Sequence, residues 1–333
     1  MPGSNGIDEV LARYMAEEAV GPVAGACVAA AGPLRHGAIV MTNLRDSDDL
    51  PWVIDAARVS RATGAPQVAI LNDLQAQGQA LGHIAAANLR RVIDGPVEEG
   101  GSMLVVGLGT GVNAAPVHDT PWGRVVPPSE CGIMSICPPQ SDEDLRLVRF
   151  LETLLASRGQ VAHAGVEEAL SGRGLANLHA FAASEAGEAS TAASAEVLEA
   201  LAAGAPVAGH AARLYTRILG QTLADLALIH LPYGGIYLIG GMSLAMEPHF
   251  RSYGLTETFR RPRRVALMQT EFAVTVVADD YAALTGCAVY LANGGPKSLN
   301  REPDERDTTT PGLKESAPAV QRALPSARIF LPR

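Results

Sequence analysis

From Ala205 to about Leu231 the chain is apolar on nearly all sides of a helical wheel. A helix of that kind has little solvent face and must sit inside a lobe large enough to surround it. It is not a membrane span, because charges or turn formers interrupt every run of about twenty apolar residues. The chain can supply such a lobe: it has 333 residues, of which 47% are apolar and 18% charged. That length allows two lobes of ordinary domain size.

Charge and cysteine usage exclude several classes of partner. A net charge of −9 argues against nucleic acid, whose phosphates need a basic face. Cys27, Cys131, Cys137 and Cys287 show no CxxC spacing and no nearby histidine pairs. A zinc site is therefore not expected, and the four read as free thiols in a reducing cytosol. No basic n-region precedes an apolar core at the N-terminus, so no secretory signal is predicted and a cytoplasmic location is expected.

Around the buried helix, short apolar runs alternate with helical spacing. Ile7, Val10, Leu11, Tyr14 and Met15 predict an opening amphipathic helix. Val23–Ala30 reads as a buried strand, and His36–Thr42 as a second strand paired with it in a hairpin. Pro51–Thr63 is predicted helical, with the proline in the first turn where it is tolerated. Gln67–Leu71 is a strand leading to a helix over Asp73–Leu81. Ser102–Val106 and Val112–Val117 are strands flanking the glycine-rich turn Gly107–Gly111. Ser141 with Asp144 resembles a capping box for the helix that follows. Residues 182–203 predict a surface helix pair. Gly234–Gly241 is a strand bracketed by glycine pairs, Thr275–Ala278 a last strand and Ala282–Leu291 a closing helix. From 294 the composition turns polar and proline-rich, predicting an unstructured tail with Ile329-Phe330-Leu331 as a docking point.

Three features carry candidate chemistry. Asp73 follows a buried strand, where open α/β sheets bind ligands and a carboxylate can serve as a base. The same residue could equally cap the helix after it. The turn 107–111 has the spacing G-x-G-x-G and leads into a strand, so it fits a dinucleotide fingerprint poorly. Its bare backbone N–H groups, with the Thr110 hydroxyl, suit a phosphoryl group, although a plain tight hairpin accounts for it as well. Glu130 and Glu167 sit in loops between apolar elements, as surface glutamates or as acceptors for sugar hydroxyls.

Taken in order, Gly32-Pro33, Met41-Thr42-Asn43, Leu71-Asn72-Asp73, Gly107–Gly111, Pro128-Ser129-Glu130-Cys131-Gly132, Leu170-Ser171-Gly172-Arg173-Gly174-Leu175 and Gly234–Gly241 resemble the bacterial glucokinase family. This is the non-ROK branch, without the zinc-binding cysteine motif, of the hexokinase and actin-like sugar kinase superfamily. The resemblance spans roughly residues 7 to 293. It implies a two-lobed α/β, actin-like (ribonuclease H-like) fold, with a small lobe at 1–100, incomplete at its N-terminus, a large lobe at 101–293 and a tail at 294–333. It implies a cytoplasmic enzyme in which ATP with Mg2+ phosphorylates the 6-hydroxyl of glucose or a related hexose, feeding glycolysis. Homodimers are common in the family. By the same resemblance Asp73 matches the catalytic base and Asn72 its sugar-binding neighbour. Glu130 and Glu167 match the two glutamates that hold sugar hydroxyls. Gly109, Thr110 and Gly111 match a phosphate loop, and Gly240 and Gly241 the segment near the adenosine. No residue is assigned to a metal.

The sequence departs from the family in two places. Three residues after Glu130 the family has a histidine where this chain has Ile133. Losing such a donor beside buried polar groups costs about 1–3 kcal/mol, so weaker glucose binding or another sugar preference is expected. The family's opening Asp-x-Gly-Gly-Thr-Asn hairpin has no counterpart here. That implies a start upstream of Met1 or a shortened form, and an unpaired edge on Val23–Ala30. Two other functions fit parts of the sequence: a non-catalytic sugar-binding or regulatory protein on this fold, and a nicotinamide-dependent oxidoreductase built on 107–111.

Overall fold

The apolar runs pair into three sheets. In the computed structural model, which describes residues 6–32, 34–264 and 270–295, β1 (Ala26–Ala30) lies parallel to β5 (Val68–Asn72) with Ala26 opposite Val68. These two make a sheet of their own among the described residues. A second, antiparallel sheet joins β2 (Leu34–Arg35), β3 (Ala38–Arg45) and β4 (Pro51–Asp55). The third contains β6 (Leu89–Ile93), β7 (Met103–Leu108), β8 (Val112–Thr120), β9 (Gly123–Val125), β10 (Ile236–Ile239) and β11 (Val274–Val277). Its order is β6-β11-β10-β7-β8-β9, with β11, β10 and β7 parallel and the remaining pairs antiparallel.

The central strands of the large sheet are apolar on both faces because both faces are covered. Leu104, Val106 and Leu108 of β7 join Ile236, Leu238, Val274 and Val276 in a core shared with the helices of the second half. Each fully buried aliphatic side chain there contributes about 1.5–3 kcal/mol. The longest of those helices is α8 (Pro206–His230), which buries Tyr215, Leu219 and Leu223. The Tyr215 hydroxyl, fully enclosed, donates to Leu170 O at 2.9 Å. Val105, Ala115, Val117, Ile239 and Val277 face the other way, against Leu74 and Leu81 and the first residue of α11 (Ala282–Ala292). α3 (Asp73–Ala80) packs along α11, and both also meet the small sheet through Leu71, Ala76 and Cys287. α3 is thus common to the large sheet and the small one. No helix among the described residues is long and apolar enough to cross a membrane.

The opening helix, α1 (Ile7–Glu17), agrees with its periodicity. Two expectations near it are corrected. Pro51–Thr63 is not one helix: Pro51–Asp55 is β4 and only Ala56–Thr63 is helical, as α2. Trp52 and Ile54 are buried on one face of β4 while Val53 turns to the other, a period of two that a strand satisfies. Asp55 then caps α2, accepting from the Arg58 N–H at 2.8 Å. The strand over His36–Thr42 also pairs differently, β3 forming its hairpin with β4 and not with β1. At α4 (Asp142–Ser157) Ser141 accepts from the Asp144 N–H at 3.2 Å, but the Asp144 carboxylate reaches back to the Gln140 N–H at 2.9 Å. The cap therefore spans one residue more than a capping box. Pro33 and residues 296–333, including the Ile329-Phe330-Leu331 segment, lie outside the described residues.

Candidate active site

The carboxyl end of β5 passes into α3 without a loop, and Asn72 is what makes the turn. Its side-chain oxygen accepts from the Leu74 N–H at 3.0 Å, while its own N–H donates to the Gln75 side chain at 3.1 Å. That is a reciprocal capping box with asparagine as N-cap. The Asn72 amide also donates to Gly32 O at 3.0 Å, tying the end of β5 to the loop after β1. Helix capping thus falls mainly to Asn72. Asp73 is half-buried in the first turn, with Oδ1 accepting from the Leu74 N–H at 2.8 Å.

Asp73 lines a cavity of about 320 Å³ together with Asn72, Glu130, Glu167, the turn 109–111 and Gly240. The residues read separately from the sequence converge there from the ends of β5, β7 and β10 in two sheets and from the loop at Glu130. Glu167 joins them from the start of a short helix, Glu167–Leu170, where a loop was expected. Gly241 is the exception: it opens α9 (Gly241–Phe250) and lines a neighbouring cavity of about 180 Å³ with Asp279 and Asp280. Gly240 borders both, at φ 102°, and a Cβ on it would lie 2.5 Å from Leu108 O. Only glycine fits that close approach at that backbone angle.

Glu167 is held firmly. Its Oε2 accepts from the Val112 N–H at 3.0 Å, and its Oε1 from the Arg173 guanidinium at 3.1 Å. Arg173 lies in α6 (Gly172–Glu185) and forks onto Glu168 as well, at 2.9 Å and 3.2 Å. A Cβ at Gly111 would stand 2.8 Å from Glu167 Oε2, so the turn lies against the carboxylate only because that residue has no side chain. The turn closes on itself through Gly109 N to Gly111 O at 3.0 Å. It is docked onto the start of α6 by Gly172 N donating to Gly109 O at 2.8 Å. Thr110 at its tip is exposed.

Glu130 is placed by Asn113, which the sequence reading did not single out. The Asn113 side chain on β8 donates to Ser129 O and accepts from the Cys131 N–H at 3.2 Å, bracketing the glutamate on both sides. Its signal was an amide in the otherwise apolar run Val112–Val117, two residues past Gly111. Burial pushes the adjacent Cys131 thiol up, against hydrogen bonding that pulls it down, with the negative charge of Glu130 adding to the rise. Ile133, in the position of the family's histidine, lies outside the lining of this cavity and is 67% exposed.

The chemistry on offer is consistent throughout. The N-termini of α3 and α9 border the cavity, and helix N-termini with bare glycine N–H groups favour phosphate oxygens. Carboxylates accept from neutral hydroxyls. An anion and a polyol can therefore occupy one cavity with a carboxylate between them.

Comparison with known proteins agrees. The family model described as glucokinase matches residues 4–294. A glucokinase of Marinobacter nauticus is 30% identical over 289 residues, covering 86% of this chain and 86% of that one. A crystal structure of glucokinase from an Antarctic psychrotroph superposes with a TM-score of 0.76 at 25% identity, covering 87% of both chains. The Balamuthia mandrillaris glucokinase solved with glucose shares the fold, with a TM-score of 0.70 at 19% identity over 86% of this chain and 82% of that one. The α/β fold is that of the actin-like sugar kinases, and the chain belongs to the glucokinase family.

Proposed function

We propose that this protein is a glucokinase, transferring the γ-phosphoryl group of ATP to the 6-hydroxyl of glucose with Asp73 as general base. The observation that carries this reading is the single cavity lined by Asn72, Asp73, Glu130, Glu167 and the 109–111 turn, in a chain of this family. Glu130 and Glu167 accept from sugar hydroxyls and Asn72 adds an amide, so the acceptor ring is oriented before reaction. Asp73, whose Oδ2 is not taken by the Leu74 N–H, accepts the 6-hydroxyl proton. The freed oxygen bonds to the γ-phosphorus as the bond to the bridging oxygen breaks, and ADP leaves with that oxygen. The backbone N–H groups of Thr110 and Gly111 and the Thr110 hydroxyl hold phosphate oxygens, Gly109 closing the turn through its own N–H, with Gly240 and Gly241 towards the adenosine. Most of the acceleration in such a transfer comes from positioning and charge stabilisation.

Mg2+ fits this donor set. It would be held mainly by substrate phosphates and water at the phosphate turn that shares a cavity with Asp73, Glu130 and Glu167, leaving Asp73 Oδ2 for the proton. When bound it neutralises phosphate charge. Purified protein given ATP, Mg2+ and glucose is expected to release ADP in a coupled assay. No ADP above background with glucose or other hexoses refutes the reading.

A further inference from the structure

We infer that the acceptor site continues past Glu167 into a second ring-sized subsite, which takes a sugar residue linked to the acceptor hexose. This rests on the hexose-kinase reading above. A cavity of about 370 Å³ adjoins the 320 Å³ site cavity, and Glu167 is the one lining residue the two share. Both volumes lie in the range of small-ligand sites, about 300–1,000 Å³.

The lining is mixed: Ile133, Leu155 and Val161 supply aliphatic surface, and Gln160, His163 and Glu168 supply polar groups. Ile133 is 67% and Val161 83% exposed. Single exposed aliphatic residues are ordinary, but two converging on a cavity that borders an active site mark a contact surface. A pyranose ring has the same two kinds of surface, a C–H face and a rim of hydroxyls. The aliphatic side chains suit the face, and the amide, imidazole and carboxylate suit the rim.

The subsite is also preformed. The loop carrying Ile133 is tied to the loop carrying His163 by Ile136 N to Ala164 O at 3.0 Å and Val166 N to Met134 O at 2.8 Å. Ser135 Oγ and His163 Nε2 add a bond of 3.0 Å. Little ordering is left for a ligand to impose. None of Asn72, Asp73 or Thr110 lines the second cavity. A linked sugar there leaves the reacting hydroxyl at Asp73 undisturbed and projects from the part of the ring that Glu167 holds.

The test measures kcat/KM for glucose, for glucosyl-glucose disaccharides of each linkage and for an alkyl glucoside, in wild type and Val161→Trp. Val161 is exposed and outside the glucose site, so the indole fills the second cavity without loading the core. At least one disaccharide is expected to be phosphorylated. Val161→Trp is expected to lower its kcat/KM about tenfold or more while changing that for glucose less than about twofold, the scale on which pocket contacts discriminate substrates. Calorimetric titration with the disaccharide is expected to follow the same order. The subsite is overturned if no disaccharide binds, if Val161→Trp affects glucose and disaccharide equally, or if the alkyl glucoside loses as much as the disaccharide. Glucose turnover with no disaccharide effect removes the subsite alone. Absence of glucose turnover removes the hexose-kinase reading, and the subsite with it.

Discussion

Asp73→Asn separates chemistry from architecture more cleanly than truncation does. The amide keeps an oxygen for the Leu74 N–H, which Asp73 now engages at 2.8 Å, and the Asn72–Gln75 capping box is untouched. What disappears is a negative charge in the first turn of α3, about 0.3–1 kcal/mol. In a chain of this size that lowers Tm by about 1–3 °C. The variant also loses the capacity to accept a proton, worth about 10²–10⁴ in kcat for a general base. That is about 3–5 kcal/mol of barrier at 1.4 kcal/mol per tenfold. Three measurements on one preparation suffice: ADP release for kcat, calorimetric titration for glucose and a thermal melt. The expected pattern is a collapsed kcat, glucose affinity within about threefold and a nearly unchanged melt. A kcat within about tenfold of wild type refutes Asp73 as the base. A Tm lower by more than about 8 °C refutes the separation itself, since Asp73 would then be structural.

Other substitutions probe the frame around it. Asn72→Ala removes the N-cap and the bond to Gly32 O, and is expected to cost about 1–2 kcal/mol in urea unfolding, with a raised sugar KM. Gly111→Ala places a methyl group 2.8 Å from Glu167 Oε2. It is expected to raise the hexose KM by about tenfold or more through displacement of that carboxylate, with little change in Tm. Arg124 hydrogen-bonds Asp119 and holds its carboxyl below the usual range, while also donating to Gln79 O at 3.1 Å at the far end of α3. Because the folded-state value is depressed, the stabilisation is fully present above the unfolded value of about 3.9 and is lost as pH falls through the lower folded-state value. Asp119 is partly exposed, so Asp119→Asn is expected to cost under about 1 kcal/mol at pH 7, and its melt should converge on wild type only once pH has fallen below the depressed folded-state value.

What the sequence made readable followed from local physics. β5, β7 and α8 were clear because short apolar strand runs and a helix largely enclosed by a lobe leave few polar positions. β4 was hidden because it runs straight into α2, with Asp55 ending one and capping the other. Nothing between them looks like a turn. β6 was hidden by Arg90 and Arg91, exposed charges of the kind that protect a sheet edge from other chains. At the site, each acidic residue alone was ambiguous, and resemblance rather than spacing brought them together. The division of labour between Asn72 and Asp73 needed coordinates, since both residue types cap helices. The grip of Arg173 on Glu167 and the bracket of Asn113 around Glu130 join residues 6 to 18 positions apart, which no helical or strand periodicity predicts.

The packing of α11 on α3 has a consequence for how the chain becomes active during synthesis. α3 presents Asp73, yet it is covered by a helix that begins at Ala282, and Gly286 lies directly on the backbone at Ala76. Some two hundred residues must leave the ribosome between the two. At about 5–20 residues per second, that interval lasts on the order of ten seconds or more. Throughout it, the apolar flank of α3 at Ala76 has no α11 to cover it, so a nascent chain is exposed to holdase capture late in its synthesis. A message truncated before Ala282 would yield a protein that carries every residue assigned to the reaction but lacks the helix that fixes its base.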